Sequence, residues 1–486
     1  MSGMFDDFKE QVRSQANIVE IISEYVPLKK RGGSFWGCCP FHGEKTPSFS
    51  VTPDKNFFYC YGCHVGGDVF TFVMKMENCT FPEALKLLAN KLGIAVPEKE
   101  KTKAELEREK QAKQVIAANE LATRFFQACL TKTDYGIKAQ EYLTGRGITP
   151  EIIERFSIGV ALPNYNALLS ALGKRGCSAG LLVQAGLAVN YDRGPMDKFR
   201  GRVMIPIQDP RGHVVGFGGR ILEQNSQQMA KYMNTGETEW FNKRTLLFGM
   251  NVALKEIKKR RQAVIVEGYM DAISLHAAGI DWAVASMGTA FAQEQAKLLA
   301  RAADEVVFSY DSDAAGQRAT VRAVSIAKEA GLKVRVLIVP DGKDPDEFVR
   351  KHGKDAYLRL IETAVSGIEF QMQYVISQNN VSNLAGKVEA VSNILPFLLE
   401  CKNEIEVAQH IKTLAQRLTI DEGLIMSEYR KLSRKNDRRE AVSKWQVQPN
   451  VLSAEDLAEQ LLLYVILKNT DLALVYRGKI DSVGFM

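Results

Sequence analysis

Residues 263–288 read AVIVEGYMDAISLHAAGIDWAVASMG, residues 305–316 read EVVFSYDSDAAG, and residues 333–348 read KVRVLIVPDGKDPDEF. Each stretch opens on a short β-branched run, and helix-length sequence separates one from the next. That alternation predicts βαβ units on a parallel sheet. Ligands bind such sheets beyond the carboxyl ends of the strands. Glu267 follows AVIV directly, Asp311 follows VVFSY, Asp313 lies two residues on, and Asp344 and Asp346 come just after KVRVLIV. Four or five carboxylates therefore converge on one edge, where they repel one another unless divalent cations neutralise them. Hard oxygen donors of this kind select Mg²⁺ or Mn²⁺. Ala314, Ala315 and Gly316 leave room for backbone and ions to approach. Asp271, at the start of the helix after EGYM, reads equally well as an N-cap.

Outward from this block, the chain of 486 residues, 46% apolar and 25% charged, is too long for one core and predicts several domains. No apolar run reaches the about 20 residues of a membrane helix, and the first residues alternate charge with apolar side chains. A soluble cytoplasmic protein is expected. From Lys198 to Arg261 there are 13 Lys and Arg against 5 Asp and Glu, a local surplus of +8 where the whole chain carries +6. Such an excess suits a polyanion-binding face, or equally a solvated, salt-bridged one. The stretch PEKEKTKAELEREKQAKQ, starting at Pro97, has almost no apolar residue and reads as a partly helical hinge. Past Lys354 the apolar spacing is helical, and the polar run RKLSRKNDRREAVSKWQVQPN sets off a last short amphipathic segment, AEDLAEQLLLYVIL.

Eight cysteines occur, four of them between Cys38 and Cys63. Cys39 and His42 are separated by two residues, as are Cys60 and Cys63, with 17 residues between the pairs. This is paired-knuckle zinc spacing, and Pro40 and Gly62 supply the turns within it. Cys38 and His64 adjoin chosen ligands and compete with them, Cys38 needing a longer gap to His42. Four protein ligands leave no open position, so the zinc is expected to be structural. Phe57, Phe58, Tyr59 and Tyr61, with Lys29, Lys30, Arg31, Lys45 and Lys55 nearby, suit both stacking on single-stranded bases and packing of a small core.

CPFHGEKTPSFSV with YCYGC, then YLTGRGIT, FRGRVMIPI, GFGGR and KYMNT, then EGYMD, DSDAAG and KDPDEF, resemble in this order the motifs of bacterial replicative primases of the DnaG type. The resemblance runs from about Phe5 to about Lys435. It implies a multidomain α+β chain: a β zinc ribbon over 1–97, a charged linker over 98–114, the N-terminal part of an RNA polymerase domain over 115–261, a TOPRIM parallel-sheet subdomain over 262–354, a helical part over 355–435, a linker over 436–450 and an incomplete helicase-interaction region over 451–486. It also implies zinc on Cys39, His42, Cys60 and Cys63, and Mg²⁺ or Mn²⁺ on Glu267, Asp311 and Asp313 with Asp344 and Asp346 near them. Arg146, Arg200, Arg202, Arg220, Lys231, Tyr232, Asn234 and Lys243 are implied to line a basic ridge for template and nucleotide phosphates.

The activity so implied is synthesis of short RNA primers on single-stranded DNA from ribonucleoside triphosphates by metal-dependent nucleotidyl transfer, with Glu267, Asp311 and Asp313 as catalytic residues. The family's helicase partner is implied as well, and the short stretch after the second linker predicts deficient docking. No Walker loop or Ser-His-Asp arrangement is visible in the sequence. The competing readings are another TOPRIM enzyme, a nuclease or topoisomerase, and a non-catalytic zinc-ribbon DNA-binding module.

Overall fold

The computed structural model describes residues 2–77, 80–97, 102–222, 230–288, 290–340, 344–401 and 403–445, with backbone alone for 2–5 and 435–445. The chain forms two compact units, residues 1–374 and residues 375–486.

At the N-terminus β1 (Lys29–Arg31), β2 (Ser34–Gly37), β3 (Phe49–Thr52), β4 (Phe57–Cys60) and β5 (Gly66–Gly67) form an antiparallel meander in chain order. Its inward face carries Phe49, Val51 and Phe58, which pack on Phe70 and Phe72 of the helix Val69–Met76, all fully or almost fully buried. This is a small core of its own. The stretch expected to be a partly helical hinge is, from Lys103, the start of a 30-residue helix, Lys103–Lys132. Thr102 and Glu105 close a capping box at its N-terminus, and the Glu, Lys, Arg and Gln residues that kept the stretch out of any core are strong helix formers.

The next block holds β6 (Gly159–Ala161), the hairpin β7 (Ala188–Tyr191) and β8 (Gly194–Asp197), β9 (Arg202–Gln208), β10 (Val214–Ile221) and β11 (Tyr232–Asn234), with β6 and β10 packed on that helix. β11, β10, β9 and β6 make one antiparallel sheet in that order.

The alternating block folds as βαβ units. β12 (Gln262–Val266), β13 (Ala283–Ala285), β14 (Glu305–Phe308) and β15 (Lys333–Val336) are parallel, in the order β13-β12-β14-β15. Ala263, Val264, Ile265 and Val266 are fully buried, as strands covered on both faces must be. The chain leaves β12 for one side and returns to β14 on the other, so the adjacent ends of β12 and β14 form the switch point at which such sheets bind ligands. A two-residue strand, β16 (Val365–Ser366), adds an antiparallel edge beside β15 inside sequence that reads as wholly helical. Two residues are too few for any periodicity to show.

In the C-terminal unit the helices Leu384–Leu399, Glu404–Leu418 and Glu422–Trp445 bury Ile394, Leu398, Ile411, Leu414, Leu418 and Ile425. The second expected linker is helical as far as Trp445. The segment 451–486 lies outside the described residues. No helix among the described residues is long and apolar enough to cross a membrane.

Candidate metal centres and nucleotide site

The turns after β2 and β4 bring Cys39, His42, Cys60 and Cys63 together, their ligand atoms all within 4.8 Å of one another. Cys39 Sγ lies 3.8 Å from Cys63 Sγ, and Cys60 Sγ lies 3.9 Å from His42 Nδ1. Both competing ligands fall away. Cys38 is exposed, and His64 Nδ1 sits 3.0 Å from the Tyr59 hydroxyl. Backbone amides support the sulfurs: Phe41 N–H donates to Cys39 Sγ, and Gly62 and Cys63 N–H donate to Cys60 Sγ. Burial pushes the Cys39 thiol up to about 12. Burial acts the same way on Cys60, but the Ser48 hydroxyl and the two amides outweigh it and bring that thiol down to about 7.

Glu44 is a supporting residue that ligand spacing does not reveal. Its carboxylate lies 3.2 Å from His42 Nε2 and accepts from Cys39 N–H, Ser48 N–H and Ser48 Oγ. With Nε2 held by Glu44, His42 turns Nδ1 toward the sulfurs, which fixes the tautomer a zinc ligand needs. The soft set of four donors fits zinc and leaves no position for substrate.

The acidic edge is built differently. Glu267 leaves the end of β12 and Asp311 stands three residues beyond β14, whose register pairs Ile265 with Phe308. Asp311 N–H donates to Glu267 Oε1 at 3.2 Å, so the two meet at the switch point. Asp313 caps the helix Ala314–Glu329 by accepting from Gly316 N–H, and Asp344 caps the helix Pro345–Thr363 by accepting from Glu347 N–H. A Cβ on Gly316 would lie 2.8 Å from Glu267 Oε1, so only glycine leaves that carboxylate its place. Asp271 is not the N-cap of its helix. Gly268 holds that position, and Asp271, one turn in, accepts from Gly268 N–H.

Burial and mutual repulsion load this edge with unfavourable charge. Burial, then Asp311 and Asp313, push Glu267 up to about 7. Burial, then Asp344 and Asp313, push Asp311 up to about 6, with Lys231 acting against them. Asp271 rises furthest, to about 8, through burial and the charges of Asp344, Asp311 and Asp346. Asp271 thus belongs to the cluster, which the sequence left undecided between cap and site. Hard oxygens that repel one another, with one lysine to offset them, are a donor set that divalent cations fit.

Asp346 departs from the expectation. Only 4% of its side chain is exposed, and it accepts from Ser274 Oγ, from Arg350 at 3.0 and 3.2 Å, and from Arg146. Two guanidiniums and a hydroxyl already satisfy its oxygens, so it is the hub of an ion-pair network and has no lone pair directed at a metal. Arg146 in turn lies over the Tyr142 ring at 5.3 Å.

The basic residues divide as well. Arg220 sits between the rings of Tyr142 and Tyr232, 5.3 and 5.2 Å from their centroids, and donates to the Tyr232 hydroxyl. Lys231 is exposed immediately before β11, near enough to Asp311 to ease its ionisation. Tyr232, pushed up to about 12 by burial, and Asn234 follow it on the same strand. Lys243 stands in a short 3₁₀ turn and adds to the burial that lowers Lys198. Arg200 packs over Tyr165 and donates to the Asp197 carbonyl. Arg202 does not line the ridge. It is 1% exposed, and its guanidinium donates to the carbonyls of Gly219, Ala230 and Lys231. It tethers the segment before β11 from beneath instead of facing a polyanion.

Family models match this chain in four places: a CHC2 zinc finger over residues 4–104, the N-terminal domain of the DNA primase catalytic core over 125–254, a Toprim-like domain over 264–349, and a DnaB-helicase binding domain of primase over 368–423. The last match falls in sequence expected to be the helical part of the polymerase domain, well ahead of residues 451–486, the segment whose shortness predicted deficient helicase docking, so that expectation loses its ground. Curated DNA primases are similar over nearly the whole chain. That of Clostridium acetobutylicum is 39% identical over 98% of this chain and 79% of its own length, and that of Geobacillus stearothermophilus is 35% identical over 97% and 80%. Among solved structures, the zinc-binding and RNA polymerase domains of the Aquifex aeolicus primase are 31% identical, covering 86% of this chain and 99% of that one with a TM-score of 0.54. A DnaG primase catalytic domain bound to single-stranded DNA is 34% identical over 65% of this chain and 99% of that one, with a TM-score of 0.57.

Proposed function

Because the chain belongs to the bacterial DNA primases of the DnaG type, and so makes RNA primers for replication, we propose which of its residues carry that activity. The observation that carries the reading is the meeting of Glu267 and Asp311 at the sheet's switch point, both carboxyls raised by burial and by their acidic neighbours. Glu267, Asp311 and Asp313 hold the catalytic cations, with Asp344 and Asp271 completing the charge, while Asp346 stays outside the set. Mg²⁺ or Mn²⁺ bound there offsets charge on the incoming triphosphate and favours the attacking 3′-oxygen.

The chain's own residues supply positioning. Lys231, Arg220 and Lys243 meet the phosphates of a ribonucleoside triphosphate, and the stacked Tyr142, Arg220 and Tyr232 hold one another rigid beside the acidic edge. On the ribbon, Tyr61 is 61% exposed and stacks on Trp36 with ring planes 11° apart, next to the exposed β1 residues Lys29, Lys30 and Arg31. Phe58 is fully buried, so the strand divides: Tyr61 and the half-exposed Phe57 offer faces to single-stranded template, and Phe58 packs the core. The replicative helicase is a further partner, met through residues 368–423. The protein works in the cytoplasm, at the replication fork.

The test is incorporation of labelled ribonucleotides on a single-stranded DNA template with Mg²⁺ or Mn²⁺. Asp311→Asn and Glu267→Gln should each lower synthesis at least about 100-fold, because removing one ligand at constant volume forfeits several kcal/mol of charge stabilisation. Template binding should change little. Wild-type rates in either variant would refute the assignment.

A further inference from the structure

Tyr269, two residues beyond Glu267, is 3% exposed and lies edge-to-face on Phe248 with ring centroids 5.0 Å apart. Its ring rests against β10 at Gly218, where a Cβ would come within 2.9 Å of Cε2. Gly218 is the register partner of Asn234 on β11, so the missing side chain lets the ring pass beneath that strand. The Tyr269 hydroxyl then donates to Asn234 Oδ1 at 2.9 Å.

A phenylalanine would fill the same space, so packing does not call for the hydroxyl. A buried phenol has one proton to donate and needs an acceptor, which Oδ1 provides; the flipped carboxamide would set Nδ2 there and orphan that proton. The carboxamide is therefore fixed with Nδ2 turned away from Tyr269, and among the described residues Nδ2 has no hydrogen-bond partner. Asn234 shares β11 with Tyr232, directly after Lys231, the lysine whose charge reaches Asp311.

We propose that Tyr269 is a positioning residue for the incoming ribonucleotide: its hydroxyl orients Asn234 so that Nδ2 donates to an acceptor oxygen of that nucleotide. This rests on the reading of Asn234 as a nucleotide contact. The hydroxyl also links the strand end bearing Glu267 to the strand bearing the phosphate-facing residues, so one bond sets nucleotide position relative to the acidic edge.

The experiment measures KM for ribonucleotide and kcat in the full chain for Tyr269→Phe, Asn234→Ala, Asn234→Asp and the double variant Tyr269→Phe/Asn234→Ala, with thermal midpoints alongside. Tyr269→Phe should raise KM about 5- to 10-fold, the loss of about one hydrogen bond, with kcat within about twofold. Asn234→Asp keeps the acceptor for Tyr269 and loses the donor, so it should raise KM as Asn234→Ala does. In the Asn234→Ala background the Tyr269 change should add nothing, since a residue acting through another has no separate effect once that other is gone. Wild-type KM in Tyr269→Phe, or an equal increase in both backgrounds, overturns the proposal while leaving the reading of Asn234 intact. Wild-type KM in Asn234→Ala overturns that reading, and the proposal with it.

Discussion

The ribbon and the acidic edge solve opposite problems with the same backbone device, ligands placed where strands end. At the ribbon four soft ligands are gathered within 4.8 Å, with amides on the sulfurs and Glu44 behind His42. At the edge the carboxylates are anchored one by one, Asp313 and Asp344 as helix caps and Glu267 by an amide, and they repel one another. Among the described residues, no three acidic side chains gather as the ribbon ligands do. A closed, supported set favours permanent occupation and rigidity. An open, charge-loaded set leaves coordination positions for substrate. Converging ligands suffice to locate a metal site, whereas the support each ligand receives tells structure from catalysis.

The ribbon should show the largest effect. Cys39→Ser should release zinc and unfold residues up to about Lys91, since structural zinc contributes about 10 kcal/mol or more of folding free energy. Glu44→Gln should be a graded version of the same loss, weakening zinc about 10- to 100-fold with the ribbon still folded in excess metal. Zinc competition with a chelating dye, followed by circular dichroism, checks both. Equal zinc affinity in Glu44→Gln and wild type would break the contrast drawn between supported and unsupported ligands.

The edge should respond to pH in the direction its charges dictate. Glu267, Asp271 and Asp311 have folded pKa values raised to about 7, 8 and 6, so each favours the folded state when protonated. That contribution is full below the ordinary carboxylate range and is lost as pH rises through about 6 to 8. Metal-free protein should therefore melt a few degrees lower at pH 8.5 than at pH 6, and Mg²⁺ should raise the midpoint more at the higher pH. Differential scanning calorimetry with and without Mg²⁺ reads this. A midpoint that rises with pH in the absence of metal would contradict the charge-loaded picture.

The smallest effect is expected at the rim between edge and ridge. Lys231→Ala should weaken binding of nucleotide or template a few-fold and flatten its salt dependence by about one counterion. Titrations at several salt concentrations measure the slope. An unchanged slope would move Lys231 from phosphate contact to a purely local partner of Asp311.

Much of this was legible in the sequence because strand-end carboxylates and knuckle spacing are local patterns. AVIV followed by Glu267 and VVFSY followed by Asp311 locate the edge without any coordinates, and the two-residue gaps locate the ribbon ligands. What escaped depends on partners far apart in the chain. Asp346 stands in the same KDPDE run as Asp344, but Arg146, 200 residues earlier, takes up its charge. Arg202 and Arg200 look alike in FRGR, and only burial beneath the Ala230 and Lys231 carbonyls separates them. Asp271 is ambiguous as a cap because one turn of helix serves capping and clustering alike. The helical course of the charged segment after Thr102 was half visible, since its composition excludes a core and does not exclude a helix.

Whether Glu267 and Asp311 form the cation site at the switch point is read by a Mn²⁺ titration of the zinc-loaded protein followed by electron paramagnetic resonance. Wild type should sequester Mn²⁺, and both Asp311→Asn and Glu267→Gln should weaken that binding at least about tenfold, the loss of one charged ligand in a partly buried site. Zinc should stay at one per chain in all three. Equal Mn²⁺ affinity in wild type and both variants would place the cations elsewhere.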